Sequence, residues 1–322
     1  MRKTSHLSLQ TGDINMKAAL IHNFGGPEEI QYEKIQMPQP GRGEVLIKTL
    51  AIGTNRLDHY VRLGQISSEI IFPHILDSDA VGQVIKLGED VSEFRIGDRV
   101  ISMPGYPLDP SESSTRPVTV ASSYAIPGVH IQGTYSEYIV VPAQWLLIDN
   151  TGLSVEQIAA LPVPLLIAIR SVEIVGEVKA GDTVLVHAGA SSTGMMSIQV
   201  AKALGARVVT TVQSPDSAEI AKDSGADFII NSSEQDFVSA INEWTGGKGV
   251  DVAIDNLGGD ILQKTINVVR PRRALSSQWA LWQVRKRQSM FVTSSSLKNS
   301  YEEHWLAILK TFQGGFRLLK KV

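Results

Sequence analysis

The stretch Thr183-Val184-Leu185-Val186-His187-Ala188-Gly189-Ala190-Ser191-Ser192-Thr193-Gly194-Met195 decides how this chain is read. It opens with a continuous apolar run, the pattern of a central parallel strand buried on both faces. Small residues fill a short turn, after which Met195, Ile198, Ala201 and Leu204 recur at helical spacing and predict a helix over 195–204. Such a turn brings backbone N–H groups and the positive end of a helix dipole to an anion such as a pyrophosphate. In this reading Gly189 supplies unusual backbone angles and Gly194 close helix–strand packing. The middle glycine of the usual fingerprint is missing, with Ser191 or Ser192 in its place. The alternative is a tight turn that only packs the helix on the sheet.

Downstream, strand-like runs at 207–211, 228–231 and 250–255 alternate with helical runs at 217–224, 237–244 and 261–269. That alternation predicts an α/β fold with a parallel sheet covered by helices on both faces, and makes the turn a dinucleotide site. Its candidate contacts are Gly189, Ala190, Ser191, Ser192, Thr193 and Gly194, with Thr211 and Ser214 at the end of the second strand. An NAD site usually carries an acid there for the ribose hydroxyls. This chain reads Val208-Val209-Thr210-Thr211-Val212-Gln213-Ser214, with no acid before Asp216, which favours NADP over NAD. No Lys or Arg lies between Val208 and Glu219 to pair the extra phosphate, so only the hydroxyls of Thr211 and Ser214 remain for it.

Upstream, residues 16–150 have a different character. Runs at 45–52, 81–85, 99–103 and 135–141 read as short strands, and the Ser-, Pro- and Thr-rich residues 104–133 as a long surface loop. The length of 322 residues suits two domains, here 16–150 and 151–322, with residues 1–15 a disordered extension. Composition is globular, 43% hydrophobic and 20% charged. A net charge of −3 gives no electrostatic reason to bind nucleic acid or anionic lipid. The apolar residues 158–169 are too few for a bilayer and are broken by Pro162 and Pro164. The sequence has no cysteine, which excludes disulfides, thiolate zinc sites and cysteine nucleophiles, and fits a cytoplasmic setting.

Further stretches recur in a fixed order: Gly25-Gly26-Pro27-Glu28, Pro40-Gly41-Arg42-Gly43-Glu44-Val45, Asn55-Arg56-Leu57-Asp58 with Arg62-x-Gly64, and Phe94-x-x-Gly97-Asp98-Arg99-Val100. Gly133-Thr134-Tyr135-Ser136-Glu137-Tyr138, Ala159-Ala160-Leu161-Pro162, Gly181-Asp182-Thr183-Val184 and Asp255-Asn256-Leu257-Gly258-Gly259 follow. With them, residues 16–269 resemble the medium-chain dehydrogenase/reductase superfamily, close to its quinone-oxidoreductase and zinc-type alcohol dehydrogenase branches. The resemblance implies a β-rich GroES-like catalytic domain, a doubly wound Rossmann domain, a substrate cleft between them, and hydride transfer with a nicotinamide cofactor. It adds Asn256, Gly258 and Arg56 to the cofactor contacts, although Arg56 also reads as a plain surface residue.

Departures from that pattern bear on mechanism. Zinc-type relatives bind catalytic zinc through a cysteine where this chain has Asn55, a histidine within Asp77-Ser78-Asp79, and a third ligand near Val163-Pro164. They also carry four structural-zinc cysteines in the lobe corresponding to residues 104–133. The expectation is therefore no zinc. His74 and Asp79 could coordinate a metal in principle, but a lone His beside a strand is more often satisfied within the protein. Without metal, the carbonyl that accepts hydride is polarised by hydrogen bonds, and the resemblance offers Asn55, Asp58 and Tyr60. Each has a structural alternative: Asn55 as a helix cap, Asp58 as a solvated first-turn acid, Tyr60 as packing. Ile167 stands where relatives often carry a threonine near the nicotinamide.

At the other end, Arg270-Pro271-Arg272-Arg273 replaces a glycine turn, and residues 274–290 have little family character. A strand at 290–294 and a helix at 301–312 are expected, without the usual return into the catalytic domain. Exposed apolar surface would follow, and with it either impaired stability or burial in an oligomer such as a homodimer. The cluster Arg270, Arg272, Arg273 and Arg285-Lys286-Arg287 reads as a solvated basic face rather than an anion site. The function expected is a metal-independent NAD(P)H oxidoreductase acting on a quinone, enone or similar small carbonyl compound. Two alternatives stand: an alcohol dehydrogenase-like enzyme, and a non-catalytic nucleotide-binding or structural protein.

Overall fold

A computed structural model describes residues 15–66 and 69–277, with residues 271–277 as backbone. Two compact units meet in the sequence at Val163 and Pro164. The first extends past residue 150 because its last helix packs onto its sheet. It comprises β1 (Asn15–Ile21), β2 (Ile30–Gln36), β3 (Glu44–Gly53), α1 (Arg56–Arg62), β4 (His74–Ile75) and β5 (Asp79–Leu87). After these come β6 (Arg99–Ser102), β7 (Tyr106–Pro107), β8 (Tyr124–Ala125), β9 (Tyr138–Pro142), β10 (Leu146–Ile148) and α2 (Val155–Ala159).

Five antiparallel strands run in the order β10-β6-β5-β3-β9. Val45 and Ile47 of β3 bury one face with Ala80, Val84, Phe94 and Val100. On the other side Ile158 and Ala159 of α2 pack with Val81 and Ile101. β9 begins at Tyr138 rather than at 135, because the preceding residues bond to β1: Ala19 N–H donates to the Tyr135 carbonyl and Glu137 N–H to that of Lys17.

Residues 104–133 are not simply a surface loop. β7 and β8 pair, Tyr106, Val118, Ala121, Ala125 and Val129 are buried, and Tyr106 stacks on Trp145 with ring centroids 6.0 Å apart. Glu112 accepts from the hydroxyls of Ser122 and Ser123 at 2.6 Å each. Irregular chain gives buried positions no regular period, so sequence pattern does not reveal them.

The second unit continues α3 (Pro162–Ile169) into a π-helical turn at Arg170–Val175, then β11 (Thr183–Val186), α4 (Ser192–Ala203), β12 (Arg207–Val212) and α5 (Pro215–Asp223). β13 (Phe228–Asn231), α6 (Phe237–Thr245), β14 (Val250–Asp255), α7 (Gly259–Ile266) and β15 (Val269–Ser277) complete it. All five strands are parallel, in the order β13-β12-β11-β14-β15, so the chain reverses its direction of growth between β11 and β14. Val184, Val186, Val208, Val252 and Ile254 face Ile198, Ala201 and Ala221. Leu185, Val209, Ile230 and Ala253 face Phe237 and Ile241 on the opposite side. Helices therefore cover both faces, and β11 is buried throughout.

β15 corrects two expectations: the helical run over 261–269 ends at Ile266, and residues 270–273, expected in place of a glycine turn, lie within a strand. Val250 pairs with Val269 and Val252 with Ala274, so Arg270-Pro271-Arg272-Arg273 is absorbed as an irregularity in the ladder, where a proline without an N–H is tolerated. Arg270 is not part of a bare basic face: its Nη1 pairs with Asp251 Oδ1 at 2.8 Å. The expected disordered extension over 1–15 gives up Asn15, which opens β1. Its residues 1–14, the expected elements at 290–294 and 301–312 and Arg285–Arg287 lie outside the described residues.

The turn before β9 is packed backbone to backbone. A Cβ on Gly133 would lie 2.2 Å from the Leu76 carbonyl oxygen and 2.4 Å from that of Asp77. Gly133→Ala is expected to destabilise the chain by about 1–3 kcal/mol through overpacking. Thermal unfolding followed by circular dichroism measures this, and an unchanged midpoint would contradict it.

Candidate cofactor and active site

At the carboxyl end of β11 the backbone turns sharply. Ala188 takes the left-handed conformation, φ 54°. Gly189 was expected to supply that angle; its constraint is space instead, since a Cβ there would lie 2.1 Å from Thr210 Oγ1. A Cβ on Gly194 would lie 2.2 Å from the Ala188 carbonyl oxygen, so α4 starts hard against the turn. Ser191 caps the helix: its Oγ accepts from Gly194 N–H at 3.0 Å and donates to the Ala188 carbonyl at 2.8 Å. The N–H groups of Ala190, Ser192 and Thr193 make no hydrogen bond among the described residues. Placed at the topological switch point, these N–H groups could receive an anion.

The loop after the adjacent strand, β14, carries Asn256. Both its Oδ1 and its Nδ2 are buried without a partner, an arrangement that calls for a ligand or water. A Cβ on Gly258 would meet nothing within 4 Å. Unbonded N–H groups and an orphaned carboxamide at the ends of neighbouring strands fit the diphosphate and amide of a nicotinamide dinucleotide. Two expected contacts are differently employed. Thr211 is buried, its hydroxyl 2.9 Å from His187 Nδ1 and accepting from Ala188 N–H at 3.3 Å. Ser214 caps α5, accepting from Ser217 N–H at 3.2 Å.

The first unit gathers Asn55 and a buried acid cluster where β3 runs into α1. Asn55 occupies the N-cap position, but its Nδ2 donates to Asp79 Oδ2 at 2.8 Å. Its other amide proton has no acceptor among the described residues. Asp58 is not a solvated acid: it is buried, accepting from Asn55 N–H at 2.7 Å and from the Tyr135 hydroxyl at 3.2 Å. Asp77, at φ 76°, accepts from Thr134 Oγ1 at 2.7 Å and from Ser78 N–H at 2.7 Å. Asp79 Oδ1 accepts from Val163 N–H at 3.0 Å. Tyr60 is half-buried with its ring 5.6 Å from that of His59, Arg56 is exposed, and Ile167 lies within α3.

Burial raises Asp58 to about 6, against the hydrogen bonds from Asn55 and Tyr135. Burial, then the charge of Asp58, raises Asp77 to about 7. Burial also holds Asp79 well above the usual carboxylate range. In the sequence Asp58 is a candidate site residue and Asp79 only a possible metal ligand, while Asp77 carries no role of its own. The signal for Asp77 and Asp79 is an Asp-Ser-Asp set directly between the apolar Ile75-Leu76 and Ala80-Val81.

Residues 41–150 match the family described as the alcohol dehydrogenase GroES-like domain, and residues 192–278 that described as zinc-binding dehydrogenase. A 2-haloacrylate reductase from a Burkholderia species is 33% identical over 259 residues, covering 79% of this chain and 70% of that protein. The chain belongs to the medium-chain dehydrogenase/reductase superfamily. A quinone oxidoreductase of Pseudomonas aeruginosa is 32% identical over 254 residues, covering 79% of this chain and 70% of that one. The solved structure of an NAD-dependent alcohol dehydrogenase superposes with a TM-score of 0.82 at 31% identity, covering 93% of this chain and 90% of the other.

As a member of this superfamily the chain is an oxidoreductase of small molecules, with a pyridine nucleotide as the fitting cofactor. A catalytic zinc does not fit the residues present. At the positions the resemblance aligns with ligands, Asn55 is committed to Asp79, Ser78 Oγ donates to the Pro127 carbonyl at 2.7 Å, and Val163 has no donor side chain. No group of three His, Cys, Asp or Glu suited to a metal occurs among the described residues. None of the described helices is long and apolar enough to cross a membrane.

Raised carboxyl groups make stability depend on pH with a definite sign. Between pH 4 and 7 the folded chain holds protons on Asp58 and Asp77 that the unfolded chain has released. Their contribution is complete below about pH 4 and is lost as pH rises through 6 to 7. Asp77→Asn removes the Asp77 share, so the variant should gain on the wild type from pH 5 to pH 8, by on the order of 2–4 kcal/mol. Denaturant unfolding at the two pH values checks this; a difference that stays level or shrinks would refute it.

Proposed function

We propose that this oxidoreductase is a metal-independent reductase that uses NADPH to reduce a quinone, an enone or a related small carbonyl compound. The observation that carries the reading is the set of unbonded N–H groups at Ala190, Ser192 and Thr193, at the end of the central strand. The printed activities of the two relatives, reduction of a 2-haloacrylate and of a quinone, support the substrate class. NADPH is favoured because no carboxylate occurs from Val208 to Pro215, where an NAD site usually carries an acid.

A bound reduced nicotinamide supplies the hydride. Gly189 to Gly194 and Asn256 hold and orient the nucleotide, Arg56 and Ser214 being secondary candidates. Asn55, held by Asp79 through one amide proton, offers the other to the substrate oxygen on which negative charge develops. Tyr60 delivers the proton that balances the hydride. Asp58 braces this corner through the Asn55 N–H and Tyr135, and is a positioning residue. An alcohol dehydrogenase-like activity with NAD is the second reading, favoured by the NAD-dependent alcohol dehydrogenase of similar structure.

Fluorescence titration with NADPH and NADH, followed by turnover assays on quinones, enones and alcohols with and without a chelator, separates these readings. NADPH should bind more tightly, and quinone or enone reduction should persist with chelator present. Chelator-sensitive alcohol oxidation would favour the second reading, and nucleotide binding without turnover a non-catalytic protein. Asn55→Ala should lower turnover by about a hundredfold while leaving the NADPH Kd unchanged. Equal loss in both would mean that Asn55 only supports the fold.

A further inference from the structure

Among the buried titratable side chains that the mechanism leaves unused is a histidine at the end of the central strand. His187 follows β11, is 1% exposed, and lies edge-on to Phe237 of α6 with ring centroids 5.0 Å apart. Its Nδ1 lies 2.9 Å from Thr211 Oγ1, and its Nε2 2.8 Å from Thr265 Oγ1 on α7. Thr265 Oγ1 also lies 2.8 Å from the Ile261 carbonyl oxygen and 3.2 Å from Asp255 Oδ2. The single hydroxyl proton of Thr265 is shared between those two acceptors as a three-centre hydrogen bond, so His187 Nε2–H must donate to Oγ1. Nδ1 is then bare and accepts from the Thr211 hydroxyl, whose oxygen accepts from Ala188 N–H at 3.3 Å.

The two ends of this chain of bonds reach the two halves of the cofactor crevice. At one end is Ala188, the left-handed residue that opens the turn into α4. At the other is Asp255, whose Oδ1 accepts from Leu257 N–H at 2.8 Å and from Gly258 N–H at 2.7 Å, shaping the loop that carries Asn256. We propose that His187 is a positioning residue for the dinucleotide: through Thr211 and Thr265 it locks the turn over Ala188–Gly194 to the loop over Asp255–Gly258, so that both meet the cofactor as one preorganised surface. The inference rests on the dinucleotide reading given above. It also explains why Thr211, at the strand end where a ribose contact was expected, turns its hydroxyl inward. Burial pulls His187 down to about 4, opposed by the charge of Asp255, so the ring is neutral at physiological pH and keeps a donor on one side and an acceptor on the other.

The test is calorimetric titration of the full chain with NADPH and with NADH. It compares wild type, Thr265→Val, Thr211→Val, the double variant, and the rescue variants Thr265→Ser and Thr211→Ser. Each valine variant should bind about tenfold more weakly, and each serine variant within about twofold of wild type. The double variant should bind no more weakly than the poorer single one, because either substitution breaks the same relay. Should Thr265→Val not fold, the Thr211 pair carries the same comparison from the other side of the ring. Valine variants that bind like wild type, serine variants that fail to rescue, or losses that multiply in the double variant would each overturn the relay while leaving the dinucleotide reading intact. A wild type that binds neither nucleotide would overturn both.

Discussion

A buried strand that ends in a helix must reverse its backbone within a few residues while leaving no polar group stranded. At Ala188 the chain meets this with a left-handed residue that is not glycine, a conformation costing roughly 1–2 kcal/mol. The Ser191 cap, the Ala188 N–H bond to Thr211 and the close contact at Gly194 hold the turn against that cost. Because the turn is held by bonds behind it, the N–H groups in front of it stay unbonded. An anion then meets donors already in place, and little further ordering is needed on binding.

The first unit applies the same physics to negative charge. Asp58, Asp77 and Asp79 are all buried, and each accepts at least two hydrogen bonds from backbone or side chains. Shared burial raises all three, so the cluster does not carry three full charges near neutral pH. Its structural product is a fixed Asn55, with one amide proton spent on Asp79 and one left over. A side chain anchored in this way is a better hydrogen-bond donor to a substrate than one that must first be ordered.

This arrangement accounts for a dehydrogenase chain without zinc donors. Where zinc-type relatives need three ligands, this chain has an amide held by a carboxyl group, a serine hydroxyl spent on a carbonyl, and a valine. Asn55 and the Val163 N–H are held by Asp79 and Ser78 by Pro127, which leaves one Asn55 amide proton over. In the proposed reaction, hydrogen bonds polarise the carbonyl in place of a metal.

Periodicity and residue type were enough to determine the alternation of strands and helices from 183 to 269, the position of the strand-to-helix turn, the β-rich character of the first unit and the impossibility of thiolate chemistry. These follow from burial patterns local to each element. Tertiary structure decided the rest. It gave the left-handed angle to Ala188 rather than Gly189, turned Thr211 inward to His187, buried Asp58, and carried β15 across Pro271. Each of these depends on which distant side chain arrives next to the residue: Thr210 beside Gly189, Thr265 beside His187, Tyr135 beside Asp58, Val252 beside Ala274. Hydrogen-bond partners far apart along the chain leave no period in the sequence, so only the folded arrangement could reveal them.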